Sequence, residues 1–369
     1  MQTVVITDGK YRSSIAAARV LGRAGYNVVV TQTRGDVASE PPVFSSRYVS
    51  HIHWFEGEAS DESYADRLLS FLGGFDHRPI LLCVGAVSLN TVSRHRERFA
   101  AVADFLIAPP EVLDALNDKE AVHCRCEELG IAVPRQYKGK PERYPVVIKP
   151  HCGEKFGLKA SERYAVAHDD KQFAAHLARM GAYDPDPIVQ EMVVGAGAGA
   201  SLLLGKDGEL LAAICHRRVR EYPITGGPST CCESFYDADM IEKAHRLLQS
   251  FGFSGMAMVE FKGEHVLEVN PRIWGSFPMT DCAESPFTHK YALAAAGEAV
   301  EYTPRDYKTG VRMRFLLNDT VAILQYLRHG YFKKFTEGIG DMFTAKEALS
   351  SRDDPAPMRK YLKQYLPGR

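Results

Sequence analysis

Short β-branched strands alternate with helical patterns along the first third of this chain, and few folds accommodate that order. Residues 3–7 read as a strand. Residues 13–25 carry the helical spacing of Ile15, Ala18 and Leu21 and end on a glycine, and Asn27–Thr33 and 79–84 are further apolar strands. Such alternation predicts a parallel sheet wrapped by helices. The first strand-to-helix turn, Asp8-Gly9-Lys10-Tyr11-Arg12-Ser13-Ser14, lacks the GxGxxG spacing through which backbone approaches a pyrophosphate. A doubly wound shape is therefore expected, and a nicotinamide or flavin site is not.

A second unit begins near Leu116. Asn117 or Asp118 can cap a helix running to Glu128, Gly130 ends it and Pro134 follows. Residues 144–150 form a strand with Lys149 near its end. A glycine-bearing loop (151–160), a strand (164–167), a helix (169–180) and a strand (187–194) come next. This order predicts a small α+β lid with a flexible loop between two strands. Strands at 200–204 and 210–218 flank the turn Lys206-Asp207-Gly208, a Gly/Pro/Ser loop covers 222–230, and a helix occupies 238–251. Residues 256–261 and 265–270 form a hairpin. The stretch 195–200, alternating Gly and Ala, is locally permissive, and the chain from about Tyr302 is basic and helical.

At 369 residues the chain is long enough for two or three domains. With 45 Lys+Arg against 46 Asp+Glu, its net charge is -1, which argues against nucleic acid or an anionic membrane as the main partner. Hydrophobic residues at 45% and charged residues at 25% exclude a disordered or collagen-like chain. No apolar stretch approaches the ~18 residues of a membrane span. The first segment reaches Asp8 too soon for a signal-peptide core. The eight cysteines include no CxxC pair, so reduced cytoplasmic thiols are expected rather than a zinc site.

The chemistry-bearing residues are Glu260, Glu268, Asn270 and Arg272. Glu268 and Asn270 lie two apart on a strand and project from one face. Glu260 shares that face only if the hairpin sets it opposite 268 or displaced from it by an even number of residues. A two-residue turn at Gly263-Glu264 pairs it with 267; a three-residue turn, or a bulge, pairs it with 268. Two carboxylates and an amide oxygen suit Mg²⁺, which takes one or two carboxylates together with phosphate oxygens. Arg272 could then clamp a phosphate.

Taken in order, the lysine strand, the hinge strand Ile188-Val189-Gln190-Glu191-Met192-Val193-Val194 and the element Glu268-Val269-Asn270-Pro271-Arg272-Ile273-Trp274-Gly275-Ser276 resemble the ATP-grasp superfamily over about 116–284. The Trp-Gly-Ser extension resembles its short carboxylate–amine ligase branch, which includes D-aspartate ligase-like enzymes. The resemblance implies a Rossmann-like pre-ATP-grasp α/β domain (1–115), a two-lobed ATP-grasp domain (116–300, lid about 140–195) and a C-terminal strand and helical extension (301–369).

It further implies that Lys119 and Lys149 contact ATP phosphates, that the loop with Gly153, Lys155 and Gly157 folds over them, and that Gln190, Glu191, Met192, Val193 and Val194 line adenine. Glu260, Glu268 and Asn270 would hold one or two Mg²⁺ ions, with Mn²⁺ as a substitute. Arg272, with Arg220 and Lys149, would serve catalysis. Of the basic cluster His216-Arg217-Arg218-Val219-Arg220, the resemblance places Arg220 and the loop with Gly226, Gly227 and Ser229 near an acyl-phosphate. Arg312 and Arg314 share a strand face and are candidates for a substrate carboxylate, with a structural salt bridge as the equal alternative.

The resemblance thus implies an ADP-forming ligase that joins a small-molecule carboxylate to an amine on amino-acid-like substrates. It would be cytoplasmic, with no nucleic-acid or membrane partner and with a homodimer as an open assembly. A bicarbonate-using carboxylase or carbamoyl-phosphate-type enzyme, and a non-catalytic nucleotide-binding protein, remain the alternatives.

Overall fold

The computed structural model describes residues 2–151, 158, 162, 164–224 and 227–365. Four parallel strands open the fold: β1 (Thr3–Ile6), β2 (Asn27–Thr33), β3 (His51–Phe55) and β4 (Ile80–Leu82), in the order β3-β2-β1-β4. Val4, Val5 and Ile6 are all fully buried because helices cover both faces of this sheet, so these strands read as continuous apolar runs. The edge strand β3 escapes sequence reading because His51 and Ile52 are exposed and carry no apolar alternation.

The helix Lys119–Glu128 starts where the Asp118 side chain accepts hydrogen bonds from Glu120 N and Ala121 N, at 2.9 and 3.2 Å. Three antiparallel strands then make a separate small sheet in the segment expected to be a lid: β5 (Val146–Lys149), β6 (Ala165–Ala167) and β7 (Ile188–Glu191), ordered β6-β5-β7. This sheet has its own small core, in which Phe173 and Met180 of the helix Asp170–Gly181 pack on Val146, Ile148 and Val189.

The largest sheet contains β8 (Gly197–Leu204), β9 (Leu210–Glu221), β10 (Ser229–Phe235), β11 (Gly255–Lys262), β12 (His265–Asn270), β13 (Arg312–Arg314) and β14 (Lys346–Glu347). Its order is β12-β11-β8-β9-β10-β13-β14, antiparallel except for the last pair. Strand β10 occupies residues at the end of the segment expected to be loop and beyond it. The C-terminal extension completes this sheet through β13 and β14. Its end is tied to the first helix by a buried ion pair: Arg19 Nε donates to Asp354 Oδ2 at 2.9 Å, with each side chain 1% exposed.

The sheet has two chemically different faces. On the rear, the helix Ala238–Ser250 packs against β8, and the helices Leu316–Arg328 and Phe332–Thr344 pack toward β9, β10 and each other. The front faces the small sheet and the parallel-sheet domain.

Candidate active site

Glu260 and Glu268 stand opposite each other in the β11–β12 ladder. The turn between the strands is the two-residue one, Gly263-Glu264, since Lys262 pairs with His265. A bulge restores the register: Phe261 faces Val266 and Glu260 faces Glu268, so Leu267 is the extra residue. Hydrophobic pairing gives the reason. Val266 and Val269, three residues apart, both join the rear core with Val259 and Phe261, which an unbulged strand would forbid. Asn270, two residues beyond Glu268, shares the carboxylate face.

Strand β8 explains how distant side chains reach this pair. Ala198 and Ala200 face the rear core, whereas Gly197 and Gly199 face the front. A Cβ on Gly197 would meet Arg218 Cδ at 3.0 Å, and one on Gly199 would meet His216 Cε1 at 2.8 Å. The bare front of β8 therefore lets two β9 side chains lie across it. Arg218 Nη2 donates to Glu260 Oε2 at 2.6 Å, and its Nη1 donates to the Gly227 carbonyl at 3.4 Å. His216 Nε2 lies 2.9 Å from Ser276 Oγ in the Trp-Gly-Ser segment. Burial, reinforced by Arg218, pushes the His216 imidazolium down to about 4, so the ring is neutral near pH 7.

Two lysines approach from the other side. Lys119 Nζ is 3.3 Å from Glu268 Oε2. Burial and the Lys119 charge push the Lys149 ammonium down to about 8, against the pull of Glu268 and Glu260. Burial raises the Glu260 carboxyl, a rise that Arg218 opposes and Glu268 reinforces. Burial acts likewise on Glu268, but Lys119 and Lys149 outweigh it and hold this carboxyl below its usual value. Three cations thus surround two carboxylates, an arrangement suited to a polyanion bound together with a divalent cation.

The donor set fits Mg²⁺. Glu260, Glu268 and Asn270 offer only hard oxygen ligands, and phosphate oxygens or water would have to complete the shell. Among the described residues no group of three or more His, Cys, Asp or Glu side chains is placed to hold a metal by itself. Arg272 follows directly on the chain and donates from Nη1 to the Ile273 carbonyl at 3.2 Å.

A narrow cleft runs between the helix Lys119–Glu128, the small sheet and β12, lined by Lys119, Val122, Lys149, Gln190 and the bulge residue Leu267. Leu267 is a lining residue that sequence reasoning missed, because only the bulge brings it to the cleft. Gln190 is buried opposite Val147. The Glu191 carboxylate already accepts from Arg135 N at 2.9 Å, and Met192 N donates to the Pro145 carbonyl at 3.2 Å. Val193 is half-buried, and Val194 is 87% exposed. Gly195 crosses the hairpin turn so closely that a Cβ there would meet Gly263 N at 2.8 Å. Gly153, Lys155, Phe156 and Gly157, and the loop glycine Gly226, lie outside the described residues.

The structure separates Arg220 from this site. Between Arg218 and Arg220 the β9–β10 register shifts, with Cys232 facing Arg218 and Cys231 facing Arg220. That bulge turns Arg220 to the rear face, where it is 4% exposed and donates to Asp319 at 2.8 and 2.9 Å and to Asp341 at 2.5 Å. Arg312 joins the same network through Glu233 at 2.7 Å and Asp341 at 2.6 Å, and Arg217 pairs with Glu233. Arg314 is buried and donates to the Met342 carbonyl at 3.3 Å. The expected placement of Arg220 beside the phosphate site is therefore corrected: it lies in a rear ion network beneath the helices, and Arg312 shares that network as the structural salt bridge that was its equal alternative, with Arg314 on the same face. Arg218 is the cation of the cluster that faces the carboxylates, and without the bulge position no sequence signal selects it. Ser229 Oγ donates to the Cys231 carbonyl at 3.0 Å at the start of β10.

Residues 116–276 match the family described as the ATP-grasp domain. The match spans strands β5 to β12 and the Glu260–Glu268 pair. No curated protein sequence matches the chain. Among solved structures, it is similar to the biotin carboxylase domain of 2-oxoglutarate carboxylase from Hydrogenobacter thermophilus, a domain dimer in complex with MgADP, ADP and bicarbonate. The TM-score is 0.64 at 11% identity, covering 85% of this chain and 73% of that one. N5-carboxyaminoimidazole synthetase from Staphylococcus aureus follows with 0.59 at 14%, covering 81% and 78%. L-amino acid ligase from Bacillus licheniformis gives 0.57 at 13%, covering 80% and 74%. At these identities the likeness is one of fold.

Proposed function

We propose that this protein is an ATP-dependent ligase that joins a carboxylate to an amine through an acyl-phosphate, releasing ADP and phosphate. The observation that carries the reading is the Glu260–Glu268 pair, held among Lys119, Lys149 and Arg218 in an ATP-grasp domain. In this reading Lys119 and Lys149 hold the nucleotide phosphates, and the cleft beside Gln190 and Leu267 takes the base. Glu260, Glu268 and Asn270 hold Mg²⁺, which when bound draws charge from the phosphate oxygens.

The substrate carboxylate attacks the γ-phosphorus, and the bond to the β–γ bridging oxygen breaks to release ADP. Arg218 and Arg272 stabilise charge on the transferring phosphoryl group. An amine then attacks the acyl carbon and expels phosphate, giving the amide. Catalysis rests on positioning and charge neutralisation, and no cysteine nucleophile is required. The pairing of the ligase reading with amino-acid-like substrates draws support from the fold shared with the L-amino acid ligase.

The deciding experiment measures ADP, AMP and phosphate released from MgATP with amino acids supplied singly, in pairs, and with bicarbonate. ADP and phosphate dependent on one acid–amine pair establish the reading. AMP release overturns the acyl-phosphate route, and bicarbonate-dependent ADP release favours the carboxylating alternative.

A further inference from the structure

The outer helices Leu316–Arg328 and Phe332–Thr344 turn apolar side chains to solvent. Half of the fourteen exposed large hydrophobic residues among those described lie in this pair and its connection. Val321, Leu324 and Leu327 recur at helical spacing opposite the buried Asp319, Ala322, Ile323 and Tyr326. On the second helix Phe332 (64% exposed), Ile339 and Phe343 (87% exposed) share a stripe, while Gly338 and Asp341 face inward. The inward packing is tight: a Cβ on Gly338 would meet Ile323 Cγ1 at 2.7 Å. The outward apolar face is therefore additional to the core, and contiguous patches of this kind mark binding surfaces.

The charge around it is segregated. Asp319 and Asp341 are buried in ion pairs with Arg220 and Arg312, leaving Glu337 as the exposed acid of the two helices. Arg328 and Lys333 are exposed at the connection beside Tyr331 and Phe332, whereas Lys334 lies over the Tyr326 ring and lines the inward cavity with Arg220, Arg312 and Asp341. Lys333 and Lys334 occupy the first turn of their helix, which holds no acid, so their charges oppose the helix dipole. The balanced charge of the whole chain averages over this segregation.

From the exposed apolar stripe flanked by these cations, we infer that the helix pair docks on an anionic membrane surface with both helices in the headgroup plane. Amphipathic helices with apolar and aromatic side chains on one face and Lys/Arg on the flanks bind bilayers in this way. A second copy of the chain would bring the same cations and only one exposed acid, whereas anionic headgroups neutralise the whole cluster. The candidate active site lies on the opposite face of the sheet, so docking leaves it open.

Cosedimentation of the full chain with phosphatidylcholine vesicles, with and without phosphatidylglycerol, tests this. Binding is expected only to the anionic vesicles and should weaken with salt. The variant Lys333→Glu should bind about tenfold weaker, and its acidic first turn favours the helix, so loss of fold does not explain the result. Phe332→Ser/Phe343→Ser should likewise lose binding while circular dichroism and vesicle-free ADP formation stay unchanged. Absence of binding at low salt, or equal binding to neutral vesicles, overturns the inference. So does a wild-type dimer that the phenylalanine variant turns into monomer without any vesicle uptake, because the face would then belong to a second copy.

Discussion

Arg218 Nη2 donates to Glu260 Oε2 at 2.6 Å although a strand lies between them, because Gly197 and Gly199 leave the front of that strand bare. The reach of one guanidinium thus depends on two missing side chains. The same glycine face lets His216 meet Ser276, which follows Glu268, Asn270 and Arg272 on the chain.

Glu268 carries the first prediction. Glu268→Gln keeps shape and removes the charge between Lys119 and Lys149, so ADP formation should fall by about a hundredfold or more. Thermal unfolding should move little. Ordinary turnover by this variant would place the nucleotide elsewhere.

Arg218 and Arg220, two residues apart, should behave oppositely. Arg218→Gln should lower ADP formation with a denaturation midpoint close to wild type. Arg220→Met strands the buried Asp319 without its ion-pair partner, leaves Asp341 to Arg312 alone, and should cost about 3–5 kcal/mol in urea unfolding. A variant at Arg220 that unfolds normally but loses only substrate affinity would contradict the rear placement.

At Gly199 the expected effect is steric. Gly199→Ala forces a Cβ to within 2.8 Å of the His216 ring and 3.0 Å of Met258 Sδ. Overpacking of this kind costs about 1–3 kcal/mol, measurable by chemical denaturation, and it should lower activity further by disturbing the crossing side chains.

His216 makes stability depend on pH. The unfolded ring takes a proton near 6.5, whereas the folded ring stays neutral until about 4. Between those values the unfolded state binds more protons, so stability falls as pH drops through 6.5 and the loss is complete near 4. The shift corresponds to about 3 kcal/mol. In His216→Gln, unfolding free energies measured from pH 7 to 4 should show a shallower decline, whatever their value at pH 7.

The order of elements was legible because it follows local pattern. Asn27–Thr33 and His265–Asn270 have the same bounds in sequence and structure, and Asp118 caps its helix as its residue type suggests. Strands β3 and β10 were not legible. The first is a polar edge, and the second mixes Ser, Thr, Cys and Glu whose burial comes only from the neighbouring β9 and β13.

By itself the sequence determined the carboxylates, the lysines, the strands that carry them and the family they resemble, since each depends on residue type and short-range spacing. Tertiary structure alone decided which side chains meet. One bulge at Leu267 turns Glu268 toward Glu260, and a second shift after Arg218 sends Arg220 to the rear. A one-residue change of register reverses the face of every later side chain, and its position is set by which side chains the cores on both faces accept.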